Sequence, residues 1–195
     1  MKPLLIASIA SFFLLTTAQA AGDAEAGKSK SAMCAACHGP DGNGPAPTFP
    51  KLAGQHAAYL AKQLAEYKSG ERQNATMNGM AAALSEQDIA DLAAFYASQK
   101  VTLGKAAEDK VAVGQAVYRA GNTATGVSAC AACHSPTGSG NPMANFPSLS
   151  GQHADYTVLQ LKAFRAGERV NDAGSMMRGV AKKMTDAEIE AVSQY

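Results

Sequence analysis

Cys34-Ala35-Ala36-Cys37-His38 recurs as Cys130-Ala131-Ala132-Cys133-His134, and the two copies use all 4 cysteines of the chain. Two thiols three positions apart with an imidazole directly after them form the attachment signature of c-type haem. The thiols add across the porphyrin vinyl groups, and the histidine is held under the iron as its proximal ligand. The pattern predicts two covalently bound haems, attached at Cys34, Cys37, Cys130 and Cys133, with His38 and His134 on the irons. A thioredoxin-like redox pair would need a βαβ setting, and no strand-alternating stretch flanks either motif. A four-cysteine zinc site would have to span a gap far wider than ribbon spacing, and it would leave both histidines unexplained. Two disulfides would strain two-residue loops and waste the histidines in the same way.

A carrier haem needs a second axial ligand, and two kinds are on offer. Met77 or Met80, and Met176 or Met177, would give His/Met iron, which raises the potential. His56 and His153 would give bis-histidine iron, but they follow the proximal histidines closely, a tight return for a chain that must reach the far porphyrin face. The thioether is a soft ligand suited to iron in an apolar pocket. Met77-Asn78-Gly79 aligns with Met177-Arg178-Gly179, whereas Met80 faces Val180 and Met176 faces Thr76, so the repeat selects Met77 and Met177. Bis-histidine iron and one open site remain the alternatives. His56 and His153 are read as structural, facing a propionate or the other half. The carbonyls of Pro50 and Pro147 are candidates to accept the second N–H of each proximal imidazole. Gly39, Gly42 and Gly44 are read as letting the backbone pass close to the porphyrin.

The elements that position these residues come twice. Residues 49–72 and 146–169 are identical at 13 of 24 positions, including Phe-Pro at Phe49 and Phe146, Gly-Gln-His at Gly54 and Gly151, and Gly-Glu-Arg at Gly70 and Gly167. Each half reads as helix, haem loop, helix, methionine loop, helix. Asp23 to Met33 is the first helix, and His56 to Lys68 carries Leu60, Leu64 and Tyr67 as an amphipathic stripe. Ser85 with Asp88 and Thr185 with Glu188 read as capping boxes that open a final helix. No alternating strand is evident, so the fold class is all-α, a tandem of two monohaem domains related by an internal repeat. The boundaries expected are 21–100 and 111–195 for the two monohaem domains, with 101–110 as linker. Gly121 to Ser128 is an extra surface loop of the second half. The chain stops at Tyr195, the counterpart of Phe95, one turn earlier than the first half.

Residues 1–20 read as a cleaved secretory signal, with Lys2, an apolar run from Leu4 to Leu15, and small residues at Ala18-Gln19-Ala20. That implies export to the periplasm, where covalent haem attachment takes place. The charge is nearly balanced, 17 basic against 16 acidic residues, and no basic stripe points to nucleic acid. Trp is absent and aromatics make up 6% of the chain, so a buried porphyrin is expected to act as the core.

The start Ala21-Gly22-Asp23-Ala24-Glu25-Ala26-Gly27, both haem motifs, Phe49-Pro50-Lys51-Leu52-Ala53-Gly54-Gln55 and Met177-Arg178-Gly179-Val180 together resemble the cytochrome c4 family of dihaem, two-domain bacterial cytochromes. The resemblance covers the chain beyond the signal and departs from the family only in the early C-terminal stop. It implies two tandem class I cytochrome c folds related by a pseudo-twofold axis, haem edges meeting at the interface, and His/Met ligation through His38 with Met77 and His134 with Met177. It also implies a non-enzymatic monomer that shuttles electrons in the respiratory chain. The donor would be a redox protein such as a quinol-oxidising complex, and the acceptor one such as a terminal oxidase. Peripheral membrane association stays open. The rivals are a dihaem electron-transfer subunit of a dehydrogenase or oxidase complex, and a dihaem peroxidase, which would need an open iron and polar groups for acid–base work.

Overall fold

The computed structural model describes residues 21–195; the signal-peptide reading lies outside the described residues. Ten α-helices fall into two sets of five. The first set is α1 (Ala24–Lys30), α2 (Ala32–His38), α3 (Ala57–Ser69), α4 (Ala75–Ala81) and α5 (Glu86–Ala97). The second is α6 (Glu108–Ala120), α7 (Ala131–His134), α8 (Ala154–Ala166), α9 (Met176–Ala181) and α10 (Asp186–Gln194). In both sets the first and last helices pack together, the third lies on the last, and the methionine-bearing helix lies on the third. Among the described residues extended pairing is limited to two isolated bridges, Asn122 with Val127 and Asn141 with Phe146. No helix there is long and apolar enough to cross a membrane.

Local chemistry sets the helix ends. Asp23 caps α1 by accepting from the backbone N–H groups of Glu25 and Ala26. Both expected capping boxes are formed, Ser85 with Asp88 on α5 and Thr185 with Glu188 on α10. The expected first helix breaks at Ser31, so the first haem motif sits on its own short helix, α2. The two methionine stretches, expected as loops, carry helical turns: Met77 lies in α4 and Met177 in α9. The extra segment of the second half is a surface turn closed by the Asn122–Val127 bridge.

The terminal helices of each half meet at a glycine. A Cβ on Gly27 of α1 would lie 2.0 Å from the Asp91 carbonyl oxygen, and one on Gly114 of α6 would lie 2.2 Å from that of Ala191. Only a residue without a side chain allows the backbones this close. Asp91 of α5 then accepts from the Asp23 N–H at 2.8 Å and from Lys30 Nζ at 2.6 Å, which ties the N-terminal helix down. In the second half Glu188 accepts from Asn122 Nδ2 at 2.7 Å.

Gly114→Ala should force α6 off α10 and cost about 1–3 kcal/mol, the usual range for overpacking. Thermal unfolding should show the loss, and an unchanged midpoint would contradict the close approach. Asp91 is held below the ordinary carboxylate range by the Asp23 N–H and Lys30, and Glu188 by Asn122 and the Thr185 N–H. Groups depressed in this way stabilise the fold above their unfolded pKa values and stop doing so as pH falls through the folded ones. The unfolding midpoint should therefore hold steady at neutral pH and drop below about pH 4.

Candidate functional site

A single continuous cavity of about 1380 Å³ runs through both halves. Its walls include Cys34, Cys37 and His38 from the first motif and Cys130, Cys133 and His134 from the second. Met77, Met80, Met176 and Met177 line the same space. The motif cysteines and histidines and all four candidate methionines thus face this cavity, as does His153, whereas His56 does not line it. No disulfide joins any of the four cysteines, and no cluster of His, Cys, Asp or Glu able to hold a bare metal ion forms among the described residues.

The two imidazoles are set in the same way. His38 Nδ1–H donates to the Pro50 carbonyl at 2.8 Å, and His134 Nδ1–H donates to the Pro147 carbonyl at 2.9 Å. This fixes the tautomer and leaves each Nε2 as the ligating nitrogen. Phe49 and Phe146, from the repeated Phe-Pro, flank these rings at centroid distances of 6.4 and 6.3 Å, the first edge-on and the second tilted. Burial pushes both imidazole pKa values below the ordinary histidine value, which favours the neutral, ligating form. Burial likewise raises the Cys34 thiol and pushes Cys130 up to about 11. The glycines after the first motif serve the loop's own folding: a Cβ on Gly44 would meet the Cys37 carbonyl oxygen at 2.7 Å.

His56 and His153 are engaged elsewhere. His56 Nε2–H donates to the Ser139 carbonyl and His153 Nε2–H to the Gly44 carbonyl, each at 2.8 Å and each across the interface between the halves. Both are interface residues, as the reading of them as facing the other half expected. Met77 and its counterpart Met177 are both half-buried, as are Met80 and Val180, which face one another in the repeat. Met176 is 46% exposed, which sets it apart from its neighbour.

Sequence reasoning missed the polar bridge that joins the halves. Arg72 donates to Tyr156 Oη at 3.0 Å and Gln160 Oε1 at 2.9 Å; Arg169 donates to Tyr59 Oη at 2.9 Å and Gln63 Oε1 at 3.1 Å. Within each half Arg72 also reaches Gln63 at 2.7 Å and Arg169 reaches Gln160 at 2.8 Å. Gln55 holds both the N–H and the carbonyl of Ser148, and Gln152 holds those of Lys51. Burial alone would raise the Tyr59 phenol, but Arg169 and Arg72 outweigh it and hold the group below its ordinary value. The available signal was the strict repetition of polar residues, Gln55, Tyr59, Gln63 and Arg72, where a solvated face would have drifted.

This lining fits two haems. It supplies two thiols and an oriented imidazole in each half, with thioethers on the same walls. It also presents two guanidiniums, Arg72 and Arg169, that pair with no carboxylate among the described residues. Haem propionates are the matching charge.

Comparison with known proteins agrees. The family model described as Cytochrome c matches residues 24–100 and again 111–195, so fold and site define a tandem c-type cytochrome. A cytochrome c4 of Pseudomonas aeruginosa is 48% identical over 100% of this chain and 98% of its own length. The crystal structure of reduced recombinant cytochrome c4 from Pseudomonas stutzeri superposes with a TM-score of 0.87 at 49% identity, covering 90% of this chain and 97% of that one. A thiosulfate dehydrogenase electron acceptor of Stutzerimonas stutzeri strain A1501 is 39% identical over 97% of this chain and 92% of its own. The chain belongs to the cytochrome c4 family: a dihaem electron-transfer cytochrome with two c-type haems.

His153→Ala removes one interface hydrogen bond, worth about 1 kcal/mol. It should weaken association of the halves and leave the visible spectrum of both haems unchanged. A changed axial-ligand spectrum would reinstate this histidine as a ligand.

Proposed function

We propose that the chain is a non-enzymatic periplasmic shuttle that carries one electron per haem between respiratory partners, toward a terminal oxidase. Cys34 and Cys37 hold one haem and Cys130 and Cys133 the other, in domains 21–100 and 111–195. His38 with Met77 and His134 with Met177 close the two irons. When bound, each haem supplies a one-electron iron couple. The chain's own residues do the rest. The Pro50 and Pro147 carbonyls orient the imidazoles and raise their basicity. The thioethers fill the last coordination position, which denies substrate access to iron and leaves transfer through the haem edge. The observation that supports this most directly is the pairing, in both halves, of a Nδ1-anchored imidazole with a half-buried methionine on one cavity.

A second reading is favoured by the thiosulfate dehydrogenase electron acceptor among the relatives: a dedicated acceptor or subunit for a dehydrogenase. Co-purification from the native periplasm separates the two. A stable stoichiometric complex would support the subunit reading, and a free monomer the shuttle.

Met77→Ala and Met177→Ala should each remove half of the weak red absorption of methionine-ligated ferric iron. Each should also lower one of the two midpoint potentials by on the order of 100 mV, a fraction of the span that axial ligands control. Spectropotentiometric titration is the check, and an unchanged potential would remove that methionine from the iron. Cys34→Ser should leave the first haem singly attached or lost, with the second still covalently bound on a denaturing gel.

A further inference from the structure

The two methionine segments are supported in different ways. In the first half, Asn74 caps α4 by accepting from the Met77 N–H at 3.0 Å, and Asn78 Nδ2 donates to the Tyr67 and Arg72 carbonyls at 2.6 and 2.9 Å. All these contacts lie within that half. The corresponding segment of the second half is longer between Asn171 and Met177, and it passes through a short 3₁₀ turn, Ala173–Ser175. Gly174 and Ser175 both adopt φ near 58°, and Ser175 provides no side-chain cap for α9. For serine that backbone region is disfavoured, so this segment needs outside support.

The support comes from the other half. Asn171, counterpart of Asn74, is buried against α3, and its Nδ2 donates to Gln63 Oε1 at 2.9 Å and to Glu66 Oε2 at 2.6 Å. Lys62, ion-paired with Glu66, donates to the Asn171 carbonyl at 2.9 Å. The neighbouring Asp172 then accepts from the backbone N–H and Nε of Arg178, the residue after Met177, at 2.9 and 2.7 Å. No reciprocal clamp exists, because the counterparts of Lys62 and Glu66 are Leu159 and Ala163. We propose that Lys62 and Glu66 are positioning residues for the second haem's axial methionine, so that the first half holds the second iron closed while the second half does not return the favour. The inference rests on Met177 being that ligand.

The test uses full-length holoprotein in a Met77→Ala background, where the remaining red band belongs to the second half. Glu66→Ala should weaken that band and speed carbon monoxide binding to the second ferrous haem about tenfold, the factor set by one charge-assisted hydrogen bond. Lys62→Met, at a partly exposed side chain, should act in the same direction; it serves if Glu66→Ala fails to fold. In a Met177→Ala background, Leu159→Ala should leave the first half's band unchanged. If the Met77→Ala protein already lacks the band, the ligand reading fails. If the band is present and neither Glu66→Ala nor Lys62→Met changes it or the binding rate, the clamp is overturned.

Discussion

The structure is organised around an interior that the polypeptide does not fill. Leu92 and Ile189 are the largest side chains fully buried among the described residues, and the two apolar clusters around them are small. Aromatic residues make up only 6% of the chain, so few large side chains are available to fill the interior. The cavity shared by both haem motifs is where the missing apolar volume belongs. Helix packing follows from that constraint: glycines bring the first and last helices of each half into backbone contact, and the third helix and the methionine-bearing helix wall the space. Covalent attachment then makes the cofactor a permanent part of the core.

Much of this was legible because the chain states it twice. Cys-x-x-Cys-His is a covalent requirement, and requirements of that kind leave fixed residue types at fixed spacing. The repeat gave the helix order, the capping boxes at Ser85 and Thr185, and the carbonyls of Pro50 and Pro147 as partners of the proximal imidazoles. What stayed hidden was the contact between the halves. Gln55, Tyr59, Gln63 and Arg72 look like an ordinary polar helix face, since hydrogen bonds across a pseudo-twofold axis have no signature in sequence spacing. The helical state of the methionine segments was also missed. Met77-Asn78-Gly79-Met80 contains weak helix formers, and its turn is held by the Asn74 cap and by packing on α3.

The bridge between the halves is nearly all amide, phenol and guanidinium. Such an interface tolerates the two positive charges of Arg72 and Arg169 near each other because Gln63 and Gln160 accept from both. It also departs from symmetry where Lys62 and Glu66 reach Asn171. Charge-assisted contacts there act on the backbone that leads to Met177, so the two halves differ at this point although the repeated lining of the cavity does not.

The interface is isologous. Gln55 grips the backbone of Ser148 while Gln152 grips that of Lys51, the counterpart of Ser148, so each half offers the other the same patch it receives. In a dimer of identical copies such a contact would hold each partner by the same patch. Here both sides belong to one chain, so the segment after α5 turns a concentration-dependent encounter into a permanent one. It also lifts the requirement that both sides carry the same residues: Lys62 stands where the other half has Leu159, and the two haem sites need not be alike.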